Sequence, residues 1–288
     1  MPDGLRRVLL DGAAVLVVAR GGELYAVGAS LAELLKAGRG RLHEAVDRAL
    51  EGEAIGAATE LLAPVDEQEV WASGVTYRRS ATARVEESSV GDVYEMVYEA
   101  QRPELFLKAP ANRVPRPGAA LRIRADSGWD VPEPELALVL DAHAEIVGYL
   151  VADDVSSRTI EGANPLYLPQ AKIYDDSLGL SGTIVLARDA GDVTSSAIEV
   201  QIDRGGERVF EGSTSVSEMK RSFDELVAAL FAELSHPAGA VLLTGTGVVP
   251  PDELTLRDGD RVRIAIEGIG VLEHDIYRRD ANGPDVDR

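Results

Sequence analysis

The sequence predicts an α+β, β-rich fold: a roll or barrel-like sheet instead of a doubly wound one. Short strand-like runs follow one another from residue 69 onward, Gly and Pro punctuate them, and helical spacing is too rare to alternate with them. At 288 residues the chain has room for one large domain or for a small one joined to a larger one. A composition shift around residues 62–68 places the boundary, giving a small N-terminal α+β domain over 1–66 and a larger β-roll domain over 67–288.

Taken in order, the turn pairs Asp11-Gly12 and Gly21-Gly22 flank "AAVLVVAR", and "ELYAVG" follows, which spells a small meander. "SLAELLKAGRGRLHEAVDRALEG" has helical apolar spacing, a Ser at the cap and Gly52 near the stop, with Gly38 and Gly40 breaking it in two. Beyond the boundary, "EVWASGVTY", "LFLKA", "AALRIRA", "ELALVL", "IVGYLVADDV", "SGTIVLA", "AIEVQID", "AVLLTGTGVV" and "DRVRIAIEGIGVLEHDI" read as strands. Helices interrupt them at about residues 81 to 100 and 217 to 234, and "RRDANGPDVDR" reads as a loose acidic tail.

Composition narrows the function. No apolar run approaches the roughly 18 residues of a membrane span, and no export signal is legible at the start, so a cytoplasmic location is expected. With no cysteine, a metal must be held by carboxylates, carbonyls or the four histidines, which favours a hard, oxygen-loving cation. His43, His143, His236 and His274 lack metal-ligand spacing. A formal charge of -20 argues against nucleic acid. Lysine occurs only at positions 36, 108, 172 and 220, which fits a high-salt cytoplasm or, equally, a GC-rich genome.

The stretch "WDVPEPELAL" carries the sharpest signal. On a half-buried strand, Glu133 and Glu135 point the same way, with Pro134 and Leu136 opposite. If residues 142–145 form a hairpin loop, Asp154 falls opposite Glu133 on the same face. Three converging anions are costly unless a cation neutralises them, and an oxygen-only set suits Mg²⁺ or Mn²⁺. The prolines stiffen an edge segment that carries a preset ligand pair. The alternative is a solvated acidic sheet face, which the approach of Asp153-Asp154 disfavours.

The order and spacing of "EPELALVLDAHAEIVGYLVADDVSSRTIEG", "PQAKIYDDSLGLSG", "LLTGTGVV" and "LRDGDRVRIAIEGIGVLEHDI" resemble the fumarylacetoacetate hydrolase superfamily over roughly residues 70 to 278. That resemblance implies a mixed β-roll, dimeric or tetrameric assembly, a metal triad at Glu133, Glu135 and Asp154, and an active-site lysine at Lys172. Hydrolytic members often carry a histidine shortly after a G-x-N-Y type motif; here "SGVTYRRSATAR" has none, which puts hydrolysis in doubt. The form "GVTYRRS…VYEAQRPELFLKAP…WDVPEPELALVL…DDVSSRTIEGANPLYLPQAKIYD" resembles the 2-keto-3-deoxy-pentonate dehydratases of this superfamily, which implies that activity. In that group Glu104 corresponds to a second catalytic acid or base.

A 2-keto acid chelating Mg²⁺, or Mn²⁺, through its carboxylate and keto oxygens has removable C3 protons. Proton transfers assigned to Glu104 and Lys172 then expel the C4 hydroxyl as water, and shifts involving C5 give the 2,5-dioxo acid. Which of the two is acid and which is base stays open. Glu104 also reads as a plain strand start, Lys172 as a surface ion pair, and Lys108 as a sheet-edge charge. Thr244 and Thr246, in a glycine-flanked loop, are candidates for substrate binding or a simple strand-ending turn. Arg79 and Tyr167 are candidates for binding substrate oxygens, or a solvated Arg and a packed Tyr. Two rivals remain: a hydrolase or decarboxylase of a related oxo acid, and a non-catalytic cation- or carbohydrate-binding module.

Overall fold

Asp11, Gly12, Gly21 and Gly22 all take positive φ, the geometry of two-residue hairpins whose twist matches the strands they join. They connect Gly4–Leu10, Ala13–Arg20 and Glu23–Ala26 into the expected meander, and Glu60–Leu61 adds a fourth strand. The computed structural model describes residues 1–56, 58, 60–87 and 92–279. Ser30 and Glu33 form a capping box at the start of the helix Leu31–Ala37. Gly38, at φ +92°, ends that helix. Gly40 lies inside the next one, Arg39–Leu50, so a single glycine makes the break.

Leucines of these helices, Leu31, Leu35 and Leu42, share an apolar cluster with Val70, Val139, Leu150 and Val241. The N-terminal segment thus covers one face of the main sheet. That sheet runs Leu178–Leu180, Ile146–Asp154, Pro134–Leu140, Ala240–Leu243, Glu69–Gly74, Glu104–Ala109, with Val185–Leu186 beside Ile146–Asp154. Its pairing is mixed: Ala240–Leu243 lies parallel to Glu69–Gly74 and antiparallel to Pro134–Leu140. A second sheet runs Glu207–Ser215, Ala197–Arg204, Arg261–Ile266, Gly270–Arg278, Leu121–Ile123. Its Ile198, Val200, Ile264 and Leu272 pack on Leu136, Leu138 and Val151 of the main sheet's other face.

Because both faces are covered, every residue of Pro134–Leu140 is buried. The half-buried edge strand expected here is an interior one. Its near-continuous apolar run after Glu135 is the mark of a strand enclosed on both sides, and the prolines close its end. The expected register holds, by a different route: Leu140 pairs with Ile146, and a bulge before Gly148 shifts the pairing so that Pro134 meets Asp153.

Three expectations change. The helix expected from residue 217 begins at Phe223, with a capping box between Ser222 and Glu225. Before it, Val216–Glu218 forms one short 3-10 turn, after which Met219 bridges to Tyr77 and Lys220 N–H donates to Thr76 O. The helix expected over 81–100 is described as Arg78–Glu87 and Asp92–Glu99, with 88–91 outside the described residues. The strand Glu207–Ser215 was not expected, although the positive-φ doublet Gly205-Gly206 before it repeats the turn chemistry of the meander. Of the expected tail, 280–288 lie outside the described residues. Among the described residues, no helix is long and apolar enough to cross a membrane.

Candidate active site

Alternation along two adjoining strands builds the site. Glu133 and Glu135 flank Pro134 at the start of Pro134–Leu140, and Asp154 ends Ile146–Asp154 opposite them. Asp154 N–H donates to Glu133 O at 3.0 Å, pinning the register at the site itself. One oxygen from each carboxylate lies within 4.8 Å of the others, and the three residues are 3%, 1% and 1% exposed.

Buried cations answer these charges. Lys172 Nζ lies 2.8 Å from Glu133 Oε1 and donates to Asp154 Oδ2 at 3.0 Å. Lys108 Nζ meets the other Asp154 oxygen at 2.5 Å and donates to the carbonyls of Lys172 and Val155. Arg84 reaches Glu133 and Glu161, both at 3.0 Å, and Arg158 meets the same two acids. Burial opposes charge on Asp154, but Lys108 and Lys172 outweigh it and hold its pKa below the usual carboxylate range. Burial also opposes charge on Lys172, yet Asp154 and Glu133 keep its pKa above the ordinary lysine value. In Lys108 burial prevails over Asp154 and lowers the pKa.

Glu104 opens its strand opposite Gly74, and its carboxyl fills the space that a side chain there would take: a Cβ on Gly74 would come within 2.0 Å of Glu104 Oε2. It lines one narrow cavity with Glu133, Asp154 and Lys172. Burial first, then Glu161, push its pKa up to about 7 against the pull of Lys172 and Arg84. Thr246 lines the same cavity. Thr244 does not; its N–H and hydroxyl both donate to Leu136 O, so it anchors the loop.

Arg79 is exposed at the start of Arg78–Glu87, and Tyr167 is 45% exposed in the turn Pro165–Tyr167; neither lines the cavity. Ser80 and Arg84, four residues apart and so on one helix face, are buried and enter it instead. Lys108, expected as a sheet-edge charge, does stand on the edge strand Glu104–Ala109, but its side chain turns inward and is 1% exposed. Arg84, Arg158, Glu161 and Lys108 were not expected at the site. A lysine inside the apolar run "LFLKA" of a lysine-poor chain was the one available sign.

The donor set fits a divalent cation. It is all oxygen, buried and preorganised by backbone, and burial together with Asp154 and Glu133 pushes the Glu135 pKa well above its ordinary value. A cation among these oxygens would hold that carboxyl ionised. No histidine lines the cavity, in keeping with the missing hydrolase-type base.

A family profile described as "Fumarylacetoacetate (FAA) hydrolase C-terminal" matches residues 69–277. "Probable 2-keto-3-deoxyxylonate dehydratase" of Haloferax volcanii is 50% identical over 213 residues, covering 74% of this chain and 73% of that protein. 2-dehydro-3-deoxy-D-arabinonate dehydratase of Saccharolobus solfataricus is 42% identical over 221 residues, covering 75% of this chain and 74% of that protein. The solved structure "2-keto-3-deoxy-D-arabinonate dehydratase complexed with magnesium and 2,5-dioxopentanoate" matches with a TM-score of 0.79 at 33% identity, covering 96% of this chain and 99% of that one. With the mixed sheet, the buried acidic trio and these matches in agreement, the chain belongs to the fumarylacetoacetate hydrolase family.

Proposed function

We propose that this enzyme is a Mg²⁺-dependent hydro-lyase that converts a 2-keto-3-deoxy-pentonate into 2,5-dioxopentanoate, the semialdehyde of 2-oxoglutarate, and water. The observation that carries this is a cavity lined by Glu104, Glu133, Asp154 and Lys172, with Glu135 completing the carboxylate trio beside it, in a chain similar to dehydratases of that substrate class.

Glu133, Glu135 and Asp154 would hold the cation. When bound it supplies Lewis-acid polarisation of the keto acid, which makes the C3 protons acidic. Glu104, whose pKa near 7 lets it exchange a proton at neutral pH, takes the C3 proton. Lys172, kept charged by two carboxylates, gives its proton to the C4 hydroxyl, which leaves as water. Proton shifts involving C5 complete the 2,5-dioxo acid. Thr246, which lines the cavity, contacts the substrate in this reading, while Lys108, Arg84 and Arg158 balance the buried acids.

The catalytic unit is assigned to 67–288, working in the cytoplasm as a homodimer or homotetramer. The acidic composition is read as an adaptation to high salt, in line with the Haloferax relative. Incubation with a 2-keto-3-deoxy-pentonate and Mg²⁺, followed by NMR of the products, tests the reading. It expects 2,5-dioxopentanoate, lost on chelation; pyruvate or CO₂ as the sole product would overturn it, as would unchanged substrate.

A further inference from the structure

Behind the acidic trio, on the other face of the same hairpin, lies a buried pair that the chemistry above leaves unused. Asp153 precedes Asp154, so alternation sends its side chain through to the side where Gly270–Arg278 brings His274. His274 Nε2 lies 2.9 Å from Asp153 Oδ2, and the two residues are 3% and 0% exposed. The second Asp153 oxygen accepts Glu133 N–H at 2.8 Å. Pro134, paired with Asp153 in the hairpin, has no N–H for the ladder, so this end is held through a side chain instead. A carboxylate offers only acceptors, which makes His274 Nε2–H the donor.

We propose that His274 and Asp153 are positioning residues: they fix the main chain of Glu133 and so set the affinity of the trio for its divalent cation, without touching substrate. The second sheet is thereby tied to the site on the first. This rests on the reading of Glu133, Glu135 and Asp154 as the cation centre. Residues that orient a ligand in this way typically cost 10–100-fold in metal affinity or activity when removed.

Calorimetric titration of the substrate-free protein with Mn²⁺, beside thermal unfolding without metal, provides the test. Wild-type binding examines the centre itself, and its absence would overturn both readings. Where the wild type binds, His274→Leu, which lacks the donor, is expected to weaken Mn²⁺ binding by roughly 10–100-fold. His274→Gln, whose amide can reach Asp153, is expected to recover most of that affinity. If His274→Leu does not fold, His274→Asn takes its place with the same expectation, because its shorter amide stops near the Nδ1 position. Unchanged Mn²⁺ affinity in the variant without the donor, even with a lowered melting temperature, would overturn the proposal, as would an equal loss in His274→Gln.

Discussion

The backbone N–H of Gly245 donates to Glu135 Oε2 at 2.5 Å. The contact explains why the loop after Ala240–Leu243 carries glycine there: φ is +91°, and a Cβ would lie 2.0 Å from Thr76 Oγ1. Thr76 is itself fixed, since its hydroxyl donates to Thr244 O at 2.6 Å. Close backbone approach thus aims one carboxylate of the trio.

Gly245→Ala is therefore expected to cost about 1–3 kcal/mol of stability through overpacking and the positive φ. It should also lower kcat, because Glu135 loses its fixed partner. Urea unfolding and steady-state kinetics read the two effects separately.

Glu104, as the proposed base, is expected to govern the pH dependence. Its folded pKa, about 7, is raised by burial and by Glu161, so the folded protein binds this proton more tightly than the unfolded chain does. Its contribution to stability is consequently lost as pH rises from the ordinary glutamate value through about 7. Activity runs the opposite way: kcat/KM should rise through the same window as the carboxylate forms. Glu104→Gln is expected to reduce kcat by roughly 10²–10⁴-fold and to flatten the decline of stability, as pH-rate profiles and unfolding at several pH values would show.

Lys108 compensates charge. Its ammonium meets Asp154 Oδ1 at 2.5 Å with the side chain fully buried. Lys108→Met leaves that carboxylate short of a partner, so the metal-free protein should lose about 3–5 kcal/mol. Added Mg²⁺ should restore part of this, because a cation answers the same charge; urea unfolding with and without Mg²⁺ measures the difference.

The trio was legible because strand alternation and hairpin loop length are local properties of the sequence. Glu133 and Glu135 share parity, and the distance to Asp153-Asp154 brings the second aspartate opposite. Arg84 was hidden because the helix Arg78–Glu87 has no strong apolar stripe to show which side faces in, so nothing in the sequence set it apart from Arg79, which reads equally as a substrate-binding or a solvated arginine. His274 leaves a readable sign: Leu272, His274 and Ile276 occupy the buried register of one strand, and a histidine in an apolar register needs a partner. The apolar run of Pro134–Leu140 signals burial on both faces, but its second sheet neighbour was not legible, since that is Ala240–Leu243, about a hundred residues later in the chain.

The most direct test is anomalous diffraction from crystals grown with Mn²⁺ and a 2-oxo acid. The expected result is one anomalous peak within coordination distance of Glu133, Glu135 and Asp154, with the oxo acid beside Lys172, and loss of that peak in Glu135→Gln crystals that keep the same fold. An absent peak, or one located away from these three carboxylates, would contradict the account.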